Sequence, residues 1–72
     1  MSDAAQRLLT ESLGKVVLVR LRGNKVLRGV LRSFDQHLNV VLEDAEEVFE
    51  NSSRKLGTVV VRGENVILIS PT

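Results

Sequence analysis

Beyond Gly14 the sequence is a succession of short, β-branched apolar segments interrupted by turn formers, a pattern that leaves room for little except a small antiparallel sheet. Lys15 to Arg22 is the first segment, and it breaks at Arg22-Gly23-Asn24-Lys25, where Gly and Asn tolerate the positive φ of a tight hairpin turn. Val26 to Phe34 follows, with Gly29 at its middle. A Gly inside a strand marks a bulge, a sharp bend or a close backbone approach, and a bent strand points to a barrel. After Asp35-Gln36-His37 the chain resumes as Leu38-Asn39-Val40-Val41-Leu42, with Leu38, Val40 and Leu42 pointing one way and Glu43-Asp44 closing the strand. The pattern continues through Val48 and Phe49 to a polar turn at Asn51 to Arg54, then along Lys55 to Val61, as a strand pair or as one long strand interrupted by a loop. Arg62 to Asn65 is a short break, and Val66 to Ile69 is the last strand, stopped by Pro71.

The segment before Gly14 reads as one helix, over about residues 3–13. Ser2 or Asp3 can cap it, Ala5, Leu9 and Leu13 recur every fourth residue with Leu8 beside them, and Gly14 is placed to end it. Such a short helix is not stable by itself, so its apolar stripe must dock on something. The expected fold is therefore all-β: an N-terminal α-helix followed by a strongly bent five-stranded antiparallel sheet closing on itself as a small barrel.

A chain of 72 residues forms one domain and removes only about 60% of its unfolded surface from water. Disulfides, a metal or oligomerisation supply the missing stability in domains this small. The absence of Cys excludes disulfides and thiolate zinc, and a single His excludes an imidazole-rich metal site, so no cofactor is expected and oligomerisation remains. Two strands fit that role. Val59 to Val61 and Val66 to Ile69 are apolar on both faces, whereas free edges are ordinarily guarded by charge, Pro or brevity. Either both are central in a monomer's sheet or they pair with another chain, and so small a barrel has few central positions to hold them.

The net charge of +1 conceals a segregation. Residues 1–34 carry seven Lys/Arg against two acids, and residues 35–72 carry three against seven. This suits a two-faced molecule or subunits that attract each other, with the acidic stretch Glu43 to Glu50 as solvated surface or as an intersubunit counterpart of the basic half. Apolar runs stop at four residues (Val16 to Val19, Val66 to Ile69), so no membrane span or signal-peptide core is expected and the default compartment is the cytoplasm.

Leu21 to Asp44, with Gly23, Gly29, Phe34-Asp35, Asn39 and the closing Leu42 and Asp44, resembles the first Sm motif, and Val61-Arg62-Gly63-Glu64-Asn65-Val66 resembles the second. The resemblance covers essentially the whole chain, as a single Sm domain over 1–72 with motifs at about 15–44 and 56–70, and the short Asn51 to Arg54 connection most resembles archaeal Sm-like (LSm/Sm) proteins. It implies an SH3-like barrel whose fourth strand pairs with the fifth strand of the next subunit, giving a homo-oligomeric ring with a central pore. Archaeal members usually have seven subunits, and six also occurs in the wider family.

The resemblance also implies a site. His37, Asn39 and Arg62 occupy the loops the family uses to hold one base of single-stranded RNA, typically uracil, with Gly63 letting the chain pass close to the ligand and Asp35 orienting Asn39 or the neighbouring Arg loop. The chemistry suits those residue types: imidazole and guanidinium planes can sandwich a base, and an amide matches the O4 and N3–H of uracil. Each residue also has a plainer role open to it. His37 can be a solvated loop residue, Asn39 a strand residue making a structural bond to backbone, Arg62 an intersubunit ion-pair partner, and Asp35 a turn former. The expected function is a non-enzymatic scaffold for U-rich RNA in RNA processing. The alternative is a protein-interaction ring that binds RNA incidentally. Catalysis lacks support, with no Cys, no G-x-S-x-G elbow, no phosphate-cradling Gly loop and no nucleophile at motif spacing from His37.

Overall fold

The computed structural model describes residues 3–72, so the expected cap at Ser2 lies outside the described residues. Helix α1 (Asp3–Ser12) precedes β1 (Val16–Leu21), β2 (Lys25–Phe34), β3 (Val40–Val48), β4 (Ser53–Val61) and β5 (Val66–Pro71), with a short 3-10 turn, η1 (Gly63–Asn65), between the last two strands. All pairings are antiparallel and the order is β4-β3-β2-β1-β5.

The helix docks less broadly than its periodicity predicts. Leu9 and Ser12 are buried, while Leu8 and Leu13 stay 48% and 40% exposed. What anchors it is the exit: the Gly14 N–H donates to the Leu31 carbonyl at 2.8 Å, and the Leu31 N–H donates to the Lys15 carbonyl at 3.0 Å. The β1–β2 hairpin forms where expected, with Leu21 opposite Lys25 and with Gly23 and Asn24 at φ 80° and 62° in the turn.

Gly29 proves to be both a close approach and an irregularity. A Cβ there would stand 3.1 Å from the Ala45 Cα and 3.2 Å from the Glu43 carbonyl oxygen, and the β2–β3 register shifts between Arg28 and Val30. The third strand does not close at Glu43-Asp44. A register shift between Leu42 and Ala45, with Asp44 at φ 51°, carries β3 on to Val48 and returns Ala45 to the core. One extra residue bends a strand without ending it, and a run of acids gives no sign of this when their side chains face water. Val48 therefore ends β3, Ser53 begins β4, and Phe49 lies in the turn between them, where its N–H donates to the Ser52 carbonyl. At the other terminus β5 runs through Pro71 instead of stopping before it. Pro71 pairs with Val17 at the end of an edge strand, where a missing N–H costs little.

Val17, Val19, Leu31, Val40 and Leu42 are fully buried and form the centre of the core, with Leu9, Leu27, Ala45 and Val61 around them. On the outer face of β2 and β3 the segregated charges meet within one chain. Arg28 pairs with Glu46, directly opposite in the register, and Arg32 Nε lies 3.0 Å from Glu43 Oε1. For these two acids a counterpart lies on the neighbouring strand of the same chain. Exposed pairs of this kind contribute only about 0–1 kcal/mol each.

Both doubly apolar strands are edges. β4 and β5 lie at opposite ends of the order, they share no ladder with each other among the described residues, and Val60, Ile67 and Leu68 are 67%, 59% and 45% exposed. The bent sheet therefore stops short of sealing itself with hydrogen bonds. Beside β5 an open apolar groove of about 170 Å³ runs along Leu8 and Leu9 of α1 and Val66 to Ile69.

Truncating the core centre should be costly. Leu31→Ala is expected to destabilise by about 2–5 kcal/mol, against less than about 1 kcal/mol for the exposed Arg32→Ala, read from denaturation midpoints at one fixed protein concentration.

Candidate functional site

The β2–β3 connection, residues 35–39, is a tight loop organised by one carboxylate. Asp35 Oδ1 accepts from the backbone N–H groups of His37 (2.9 Å) and Asn39 (3.0 Å), and Asp35 Oδ2 accepts from the Asn39 side-chain amide at 2.9 Å. The backbone closes the same loop, since Asp35 N–H donates to the Asn39 carbonyl (3.1 Å) and Leu38 N–H to the Asp35 carbonyl (3.0 Å). The bonds to the carboxylate oxygens, that from the Asn39 side-chain amide foremost, hold the Asp35 carboxyl below its usual range despite some desolvation, because each favours the ionised form.

The second loop arrives from 24 residues away. Arg62 leaves β4 in an extended conformation, Gly63 opens η1, and the Gly63 N–H donates to Asn39 Oδ1 at 2.7 Å. A Cβ on Gly63 would fall 1.8 Å from the His37 carbonyl oxygen and 2.8 Å from the Leu38 carbonyl carbon. The room left by the missing side chain is thus occupied by backbone of the other loop. Arg62 Nε lies 3.4 Å from Glu64 Oε1, an exposed pair inside the chain.

His37, Asn39, Arg62, Gly63 and Glu64 together line an open depression of about 480 Å³. All four predicted ligand residues therefore come together, and Asp35 stands behind Asn39. Asn39, however, is not a strand residue, since β3 begins at Val40. Its side chain does make the plainer structural bond to backbone, through Gly63, and this leaves part of the amide uncommitted. Two features escaped the sequence reading. Glu64 joins the rim, for which the Arg-x-Glu spacing is a faint signal. Leu38 takes φ 62°, a conformation a bulky side chain rarely adopts, which turns the chain between His37 and Asn39, while its side chain still packs, as expected, against the core that holds Val40 and Leu42.

The amide direction is not arbitrary. A backbone N–H can only donate and a carboxylate can only accept, so Gly63 must meet the oxygen and Asp35 the nitrogen of Asn39. One amide hydrogen and one oxygen lone pair remain. They present an adjacent donor and acceptor, beside an imidazole and a guanidinium.

Comparison with known proteins places this geometry. Residues 7–71 match the LSM domain family. The chain belongs to the LSM family. Among LSM relatives, the snRNP Sm-like protein of Methanococcoides burtonii is 46% identical over 72 residues, covering 99% of this chain and all of the relative. Of the solved LSM structures, the P. aerophilum heptamer superimposes with a TM-score of 0.94 at 53% identity, over 100% of this chain and 97% of that one. The Sm protein of Pyrococcus abyssii, solved in complex with a uridine heptamer, gives 0.88 at 44% identity over 93% of this chain and 96% of that one.

Two outcomes test the network. Gly63→Ala should be strongly disruptive, because the clash is with backbone. It should shift the amide NMR signals of both loops together, and a change confined to residues 62–65 would contradict the contact. Because the Asp35 carboxyl is held low, its contribution to loop order is complete above the ordinary carboxylate range and is lost as pH falls through its lowered value. An acid titration should therefore move the His37 and Asn39 amide signals with one shared midpoint below that range, and Asp35→Asn should abolish the transition.

Proposed function

We propose that this chain is a non-catalytic, RNA-binding Sm-like scaffold in RNA metabolism. Copies join β4 to β5 into a homo-heptameric ring, and each offers one site for a base of U-rich single-stranded RNA near the central pore. The whole of residues 1–72 acts as one Sm domain. The observation that carries the base reading is the locked Asn39 amide. Its remaining donor and acceptor match O4 and N3–H of uracil, whereas cytosine presents the opposite order, a donor at N4 and an acceptor at N3. Flipping the amide to suit cytosine would place oxygen against the Asp35 carboxylate and nitrogen against the Gly63 N–H, breaking both bonds. His37 and Arg62 supply the flanking planes, and stacking of this kind is worth about 1–3 kcal/mol per base.

The ring is supported by the two open apolar edges and by the heptameric neighbour. A β4-to-β5 contact is head-to-tail, so it must either close or run on as a filament. One weak site per subunit then becomes useful, because sites repeated around a ring act on one strand with high effective concentration. The uridine-bound relative agrees in ligand. The depression is lined by imidazole, amide, guanidinium, carboxylate and glycine, a set suited to holding a base and lacking a hydroxyl or thiol nucleophile. Among the described residues no helix is long and apolar enough to cross a membrane, and we place the protein in the cytoplasm as the compartment where such a scaffold meets RNA.

Native mass spectrometry should show one dominant species near seven times the 8.0 kDa chain. A monomer at micromolar concentration would falsify edge-mediated assembly. At equal salt, oligo-U should bind more tightly than oligo-C by about tenfold or more, and the Asn39→Ala ring should lose most of that preference while keeping its mass. Equal binding of both oligomers by the unaltered protein would sink the base reading.

A further inference from the structure

A second depression opens beside the first and shares Arg62 with it. It measures about 380 Å³ and is lined by the base of the β1–β2 hairpin, the end of β4 and Asn65. Its floor is apolar, with Leu21, Leu27 and Val61, and its rim carries three cations, Arg22, Lys25 and Arg62. No acid is among the lining residues. The contrast with the rest of β2 is informative. Arg28 and Arg32, farther along that strand, are paired with Glu46 and Glu43, whereas Arg22 and Lys25 make no ion pair among the described residues. Lys25 stands directly opposite Leu21 in the ladder, so its side chain leaves the sheet on the face that carries Leu21, at the open end of the barrel.

These cations are held in place relative to the candidate base site. The hairpin turn is tied to η1 by the Arg22 N–H, which donates to the Asn65 carbonyl at 2.9 Å, and η1 begins at Gly63, itself bonded to Asn39. One hydrogen-bonded path thus joins the hairpin cations to the amide. A base in the first depression brings its own phosphate with it, and an apolar floor under a cationic rim suits the ribose-phosphate unit of a single strand.

We propose that Arg22 and Lys25 form a phosphate-binding subsite, which with Arg62 receives the backbone of the RNA strand whose base sits against His37 and Asn39. The inference rests on the base reading above and adds to it a division of labour: the amide chooses the base, and the hairpin cations hold the strand without regard to sequence. Releasing counterions from a single strand contributes a slope of about 0.7 in log affinity against log salt for each phosphate neutralised.

The test is the double variant Arg22→Gln/Lys25→Gln, both exposed positions whose side chains make no hydrogen bond or ion pair among the described residues, compared with Arg7→Gln/Lys15→Gln, which removes the same charge outside the depression and off the edge strands. Binding of oligo-U and oligo-C is measured from low to physiological salt, with native mass as a check on assembly. The expected result is an affinity loss of about tenfold or more for both oligomers at low salt, an unchanged U-to-C ratio, and a slope shallower by about 0.7 per phosphate lost. The control pair should change slope and affinity far less. An unaltered slope in the hairpin variant, or equal losses in hairpin and control variants, overturns the subsite while leaving the base reading intact if Asn39→Ala still abolishes the preference. A hairpin variant that falls apart into smaller species also overturns it, by assigning the depression to the contact between copies. If the unaltered protein shows no U preference, the base reading itself has failed.

Discussion

The hydrogen bond between the Gly63 N–H and Asn39 Oδ1 is the contact on which the rest of the site depends. It joins two loops that the chain separates by 24 residues, and it is short because Gly63 has no side chain to hold the His37 carbonyl away. Once formed, it fixes which end of the amide faces Asp35, and Asp35 in turn gathers the amides of His37 and Asn39. The barrel supplies what this arrangement needs. Val40 and Val61 are buried neighbours in the β3–β4 ladder, so the residues just before one and just after the other emerge side by side at the same end of the sheet.

Much of the architecture was legible because it follows from local chemistry. Gly23-Asn24 calls for a turn, Gly29 for a bulge, a bend or a close approach, and the doubly apolar Val59 to Val61 and Val66 to Ile69 for strands that are either central or paired with another chain. What could not be read was set by partners distant in sequence. The bulge at Asp44 depends on how β4 lies against β3, so the acids that seemed to close a strand merely decorate its outer face. Asn39 looked like a strand residue because Leu38 and Val40 appeared to alternate around it. The left-handed turn at Leu38 breaks that alternation, and no residue-level signal gives a leucine that conformation. Gly63 was expected to let the chain pass close to a ligand, and the close approach visible in the fold is to the backbone of the other loop.

Charge gives a parallel lesson. A basic front half and an acidic back half suggested attraction between subunits, yet antiparallel pairing of β2 with β3 brings the two halves into register inside one chain. Arg28 and Arg32 of β2 both find their acids on β3. Among the described residues Arg22 and Lys25 of the hairpin make no ion pair with the acidic strand, and this leaves them available.

The open edges bear on how a single chain meets other extended segments. It displays unpaired backbone along β4 and β5, bordered by Val60, Ile67 and Leu68. Such a surface does not discriminate well between one extended segment and another, so a chain with both edges open is prone to unintended strand pairing. Covering both edges therefore does more than add buried area, because it removes the surface through which the chain would otherwise pair indiscriminately.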